Sequence, residues 1–236
     1  MLRGKTLFLF DIDGTLSIGS EWIDGAQKLL DNIAARGGTS LFITNNSTKS
    51  RPDYVRKFTR MGRREPEDRF VTASYVTARF LAEQFPGKTV FALGTRSFLG
   101  ELRAFGVDAV ETLSPGIAAA VAGYDSELTY RKAALLCELL QTRELPYFAT
   151  NGDLACPAPF GFIPDCGAIC RMIADAAGKR PLVLGKPNPM MAEICLRQTG
   201  CTREQTLIIG DRLSTDIALG INAGIDACLV LTGEAK

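Results

Sequence analysis

The chain has 236 residues, 46 % of them hydrophobic, enough to bury a sizeable core in one large domain or two modest ones. Its 27 basic and 26 acidic residues leave a formal net charge of +1, which removes any bulk electrostatic case for a nucleic-acid polymer or a membrane surface as partner. The N-terminal apolar run is too short for a signal-peptide core and no later run reaches the about 18 residues of a membrane span, so the expected location is the cytoplasm.

Apolar runs alternate with helix-like segments along the chain, the pattern of an α/β protein with a largely parallel sheet. The first run, Thr6 to Phe10, is followed by a helical pattern from about Gly25 to Arg36, where Ala26, Leu29, Leu30 and Ile33 recur at helical spacing and Gly37-Gly38 stops the helix. Ser40 to Ile43 reads as a second buried strand, running into Thr44-Asn45-Asn46-Ser47-Thr48. Ser50-Arg51-Pro52-Asp53 has the residues of a helix start, and a further helix runs from about Ser74 to Phe85 before Pro86-Gly87. Lys88 to Leu93, Ile117 to Tyr124 and Pro146 to Ala149 read as strands, with helices at Ser97 to Phe105 and Tyr130 to Gln141. A Pro/Gly-rich segment from Asn151 to Gly167 leads into a helix that closes at Gly178. Pro181 to Leu184, Thr206 to Ile209 and Ala227 to Leu231 are again expected as buried core strands. The implied organisation is a core built from both chain ends, residues 1–80 and 181–236, around an inserted α/β domain at residues 81–180.

No histidine occurs anywhere, so catalytic triads and zinc helices that depend on imidazole are excluded, and chemistry must run on carboxylates, lysine and hydroxyls. Seven scattered cysteines read as reduced, mostly buried hydrophobes, and the closest pair, Cys166 and Cys170, suits one face of a helix. No Walker-type phosphate loop is present.

The residues that follow the expected core strands are Asp11, Thr44, Gly185-Lys186 and Gly210-Asp211. Ligands of open α/β sheets bind beyond the carboxyl ends of the strands, so these positions are expected to converge. Their groups fit phosphate chemistry. Attack of a carboxylate on a phosphate dianion opposes two charge pairs, about 8 kcal/mol in total at 4 Å and an effective dielectric of 20. Left uncompensated, that slows the step about a millionfold. Lys186 supplies one cation, and Asp11, Asp211 and Asp216 supply the hard oxygens that Mg²⁺ prefers. Thr44 and the backbone N–H groups around Asn45 can hold phosphate oxygens, Asp11 can act as nucleophile, and Asp13 can exchange protons with the leaving oxygen and with water.

Asp11-Ile12-Asp13-Gly14-Thr15-Leu16, Thr44-Asn45-Asn46-Ser47, Gly185-Lys186-Pro187-Asn188-Pro189 and Gly210-Asp211-Arg212-Leu213-Ser214-Thr215-Asp216 together resemble the four motifs of the haloacid dehalogenase-like phosphatases, in particular the NagD-like or 4-nitrophenylphosphatase-like branch. The resemblance covers nearly the whole chain and implies a Rossmann-like parallel-sheet core with an inserted α/β cap. It implies Asp11 as nucleophile, Asp13 as acid and base, Lys186 as the charge-neutralising lysine, and Thr44, Asn45 and Asn46 as phosphate contacts. Mg²⁺ is then held by the Asp11 side chain, the Asp13 carbonyl and Asp211, with Asp216 as a supporter. The stretch Thr150 to Gly161, with Asn151 and Asp153, resembles the cap loop that faces substrate. A small phosphomonoester is the implied substrate and a cap-mediated homodimer the family-level expectation.

Two departures stand out: Pro164-Asp165-Cys166-Gly167 where relatives usually have Pro-Gly-x-Gly, and an early stop after Leu231-Thr232-Gly233. Several positions also have plainer readings. Asp216 can cap the helix that follows it, Asp153 can be a turn residue, and Arg212 can pair with a core acid. At the level of activity, the alternatives are another reaction of the same scaffold, such as phosphoryl transfer, and a phospho-receiver signalling domain.

Overall fold

The computed structural model describes residues 4–158 and 160–235. In chain order the elements are β1 (Leu7–Asp11), a short antiparallel pair β2 (Ser17–Ile18) and β3 (Glu21–Trp22), α1 (Ala26–Ala35), β4 (Thr39–Thr44), α2 (Arg51–Arg60), β5 (Phe70–Thr72), α3 (Ala73–Gln84), β6 (Thr89–Leu93) and α4 (Arg96–Ala104). There follow β7 (Asp108–Val110), β8 (Ile117–Ala122), α5 (Tyr130–Thr142), β9 (Tyr147–Ala149), the antiparallel pair β10 (Ala155–Ala158) and β11 (Gly161–Pro164), and α6 (Cys166–Ala177). The chain closes with β12 (Leu182–Val183), α7 (Met190–Thr199), β13 (Thr206–Gly210), a π-helical turn at Leu213–Ile217, α8 (Ala218–Ala223) and β14 (Asp226–Leu229).

These elements form two compact units. Of the described residues, the first takes in 4–44, Arg51–Thr72 and 186–235; the second comprises Asn45–Ser50, 73–158 and 160–185. In the first unit five parallel strands stand in the order β14-β13-β1-β4-β5. β1, central and buried on both faces, is a nearly continuous apolar run, as the strand of a covered parallel sheet must be. Phe10, Phe42, Tyr54, Phe58 and Phe70 fill one side of this sheet, with Phe42 and Phe58 ring centres 4.9 Å apart and Phe58 edge-on to Phe70. Tyr54 and Phe58 come from α2, four residues apart on one face.

The second unit carries its own five-stranded parallel sheet, in the order β12-β9-β8-β6-β7. Leu136, Leu139 and Leu140 of α5 and Ile169, Cys170 and Ile173 of α6 pack into its core. α3 belongs to this unit, where Tyr75 meets Phe105 and Phe80 meets Phe148.

Two expectations about strands are corrected here. Leu182–Val183 was expected in the sheet of the chain ends, but it pairs with Phe148 and Ala149 in the second unit's sheet. An apolar run of this length is equally suited to either parallel sheet. Lys186 therefore follows an edge strand of the second unit, and the strand missing from the first sheet is β5, three fully buried residues too short to show any period. The Pro/Gly-rich stretch after Asn151 also holds the β10–β11 pair.

Among the described residues no helix is long and apolar enough to cross a membrane.

Candidate active site

β1 is the middle strand of its sheet and ends on Asp11; β13, its neighbour, ends on Gly210 and hands over to Asp211. Parallel register puts both ends on the same lip. The π-helical turn that follows places Asp216, which is fully buried, beside them. Carboxylate oxygens of Asp11, Asp211 and Asp216 lie within 4.8 Å of one another. Lys186 reaches into this group and donates to Asp11 Oδ1 and to Asp216 Oδ1, each at 2.6 Å. Asp216 Oδ2 accepts the Arg212 N–H at 3.1 Å, so both of its oxygens are engaged.

Asp211 is gripped from two sides. Thr15 Oγ1 donates to its Oδ1 at 3.2 Å and the Glu234 N–H to its Oδ2 at 2.7 Å. The segment that brings Glu234 there is tied down by Thr232, whose hydroxyl donates to the Gly14 carbonyl, and by the Arg212–Glu234 ion pair at 2.9 Å. Arg212 thus pairs with an acid of its own unit.

Burial pushes the Asp11 carboxyl well above the usual carboxylate range, with Lys186 pulling against it and Asp216 adding to the rise. Burial alone would discharge Lys186, but the two carboxylates that touch it outweigh that penalty and hold the ammonium charged. Three carboxylates against one ammonium leave two negative charges uncompensated when all are ionised. A divalent cation has that charge, and the donors are the hard oxygens such an ion takes; the residues present fit it.

Close packing around the acids depends on missing side chains. A Cβ on Gly210 would stand 2.2 Å from Asp216 Cγ, one on Gly14 would stand 2.5 Å from Asp211 Oδ2, and one on Gly233 would stand 2.0 Å from the same atom. Gly14 also has φ +94°, a conformation L side chains rarely adopt. Gly210→Ala is expected to lower stability by about 1–3 kcal/mol, the cost of overpacking a close-packed site. Gly100→Ala, in the middle of α4 with open space around its Cβ, is expected to raise it by about 0.5–1 kcal/mol. Chemical denaturation of the two variants beside the parent checks both signs.

Asp13 lies apart from the buried group. Its side chain is 46 % exposed, and its Oδ1 accepts from Lys57 Nζ at 2.7 Å. Thr44 is buried at the end of β4, one residue beyond the Ile43 that pairs with Asp11.

The remaining residues singled out in the sequence lie in the second unit. Asn45 Nδ2 and Asn151 Nδ2 both donate to Asp153 Oδ2, at 2.9 and 3.0 Å. Asn151 Nδ2 also donates to Asp165 Oδ1, and Asp165 caps α6 through the Cys166 N–H. The aspartate that departs from the usual glycine is therefore a helix cap and a partner of Asn151. Asn46 Oδ1 accepts from the Thr48 N–H and hydroxyl, a local Asx turn. Cys166 and Cys170 share the inner face of α6 as free thiols, their sulfurs 3.9 Å apart.

Sequence reasoning missed Lys57, Thr15 and the Thr232–Glu234 segment. Thr15 stood inside a quoted motif and carried a hydroxyl at the strand lip, a signal that was there to use. Lys57, a polar residue of the amphipathic helix α2, carried no such signal.

Comparison with known proteins gives concordant results. Residues 8–108 match the family model of haloacid dehalogenase-like hydrolases, and residues 183–236 match a second model of HAD-hydrolase-like proteins. The acid sugar phosphatase of Staphylococcus saprophyticus is 34 % identical over 233 residues, covering 98 % of this chain and 88 % of the relative. Among solved structures, a 4-nitrophenylphosphatase from Thermotoga maritima superposes with a TM-score of 0.95 at 36 % identity, covering 100 % of this chain and 89 % of the other. A glycerol phosphate phosphatase from Mycobacterium tuberculosis, solved in complex with magnesium, gives a TM-score of 0.92 at 27 % identity, covering 100 % and 70 %. Motifs, fold and relatives agree: the chain belongs to the haloacid dehalogenase-like hydrolases, in their NagD-like, 4-nitrophenylphosphatase-like branch, and is a phosphoric monoester hydrolase.

Proposed function

We propose that the protein is a Mg²⁺-dependent phosphatase of small phosphomonoesters, working through an aspartyl phosphate on Asp11. The observation that carries this reading is the buried group in which Lys186 bridges Asp11 and Asp216 while Asp211 stands within reach of both acids. Asp11 attacks phosphorus and the ester oxygen departs with a proton from Asp13. Asp13 then takes a proton from water, which attacks the phosphorus, releases inorganic phosphate and restores Asp11. Lys186 neutralises charge on the transferring group, and Thr44 contacts its oxygens. The ion would be held by the Asp11 and Asp211 side chains and the Asp13 carbonyl, and it supplies Lewis-acid stabilisation of the phosphoryl oxygens. Asp216, with both oxygens engaged by Lys186 and the Arg212 N–H, positions the lysine.

In this reading Asn45 and Asn46 join Thr44 as phosphate contacts, and the second unit serves as the cap, its loop with Asn151 and Asp153 carrying selectivity. The names of the relatives support small phosphate esters as the substrate class, with sugar phosphates, glycerol phosphate and nucleoside monophosphates as the compounds to try first.

A panel of phosphometabolites assayed with Mg²⁺ and after chelation tests the proposal. Chelation is expected to abolish phosphate release, and readdition to restore it. The same ion is expected to stabilise the fold: at about a hundred times its Kd it contributes about 2.7 kcal/mol. A melting temperature indifferent to Mg²⁺, together with full activity in chelator, overturns the metal assignment.

A further inference from the structure

We propose that Lys57 is a positioning residue that holds Asp13 in the orientation needed for proton exchange. The inference rests on the reading of Asp13 as acid and base, and extends it to a residue of α2.

Lys57 lies three residues after Tyr54 and one before Phe58, the two side chains that anchor α2 in the core of the first unit. Its own side chain is only 13 % exposed. The ammonium donates to Asp13 Oδ1 at 2.7 Å and to Ser17 Oγ at 3.2 Å. Ser17 is fully buried, and its carbonyl accepts the Gly14 N–H at 2.8 Å. Lys57 is thereby held against the same turn that carries Asp13, by a fully buried partner.

Stability gives no reason for this arrangement. Ordering a lysine side chain costs rotamer entropy, which an ion pair with a half-exposed carboxylate returns only in part. Its effect falls on Asp13 instead. A half-exposed carboxylate at a turn samples several rotamers, and holding Oδ1 selects one of them. The other oxygen, Oδ2, is then the one that exchanges the proton.

Leaving-group dependence separates this role from a structural one. The quantity kcat/KM covers steps up to departure of the ester oxygen, and only a poor leaving group needs protonation in those steps. 4-Nitrophenolate leaves readily as an anion, whereas glycerol does not. Lys57→Met keeps the aliphatic stem and removes the donor. With glycerol phosphate its kcat/KM is expected to fall about 10- to 100-fold, the range for a misplaced catalytic group. With 4-nitrophenyl phosphate it is expected to fall only a few-fold, while Lys57→Arg recovers much of the loss. Equal falls on the two esters, or no fall with glycerol phosphate, overturn the proposal. Lys57→Gln repeats the test should the methionine variant melt early. Asp13→Asn run in parallel keeps the two ideas apart. If it too lacks leaving-group dependence, the reading of Asp13 fails; if it shows the dependence and Lys57→Met does not, only the role of Lys57 fails.

Discussion

Asp11→Asn is expected to lower turnover by about 10⁴- to 10⁶-fold, as loss of a covalent nucleophile does in other hydrolases. The amide matches the carboxylate in size and can still accept from Lys186 Nζ, so the fold is expected to persist. Its oxygen is a poor nucleophile, and no acyl phosphate forms on it. Rapid acid quench during turnover of a ³²P-labelled ester is expected to leave label on the parent protein, sensitive to hydroxylamine, and none on the variant. Full turnover by Asp11→Asn, or label that survives the substitution, would place the nucleophile elsewhere. One buried carboxylate is also removed by this change, relieving the charge imbalance of the site. The variant is therefore expected to melt no lower than the parent in the absence of metal, so that lost activity and lost stability are separated in one protein.

Lys186→Met has the opposite character. Its ammonium is the cation that touches both Asp11 and Asp216 in a site almost closed to solvent. Removing one partner of a buried ion pair costs about 3–5 kcal/mol, because the carboxylates left behind lose their compensation. Catalysis loses as well: at 4 Å and an effective dielectric of 20 one charge pair is worth about 4 kcal/mol, or about 10³ in rate. The expected result is a protein that melts well below the parent without metal and recovers part of the difference when Mg²⁺ is added. Urea unfolding with and without the ion measures both. A variant as stable as the parent in chelator would mean that Lys186 compensates nothing there.

What could be read from the residues follows a physical line. Asp11 and Asp211 were legible because each ends an apolar run that cannot tolerate a carboxylate inside it, so the acid marks the lip of the sheet. The helices α1, α4 and α5 were legible from the spacing of their buried faces, to within a residue or two at each end. Sheet membership was not. Leu182–Val183, an edge strand with an exposed leucine, and the buried Phe70–Thr72 are short strands whose composition fits either parallel sheet, and only pairing decides between them. Lys186 was expected at the lip as the residue after a core strand, but the strand before it belongs to the other unit, so its place beside Asp11 does not follow from that strand. Lys57 was illegible for a different reason. Helical spacing says which face is apolar, but not that a polar residue beside that face reaches a turn 44 positions away.

Three positions on which the acid pocket depends have nothing to truncate. A survey that trims each residue to alanine and looks for lost contacts passes over Gly14, Gly210 and Gly233, since there it can only add a methyl group. Yet each of those methyls would land on a carboxylate. The tolerance of this enzyme to substitution is therefore limited by added bulk as well as by lost groups, and a library built from truncations alone would miss these three positions.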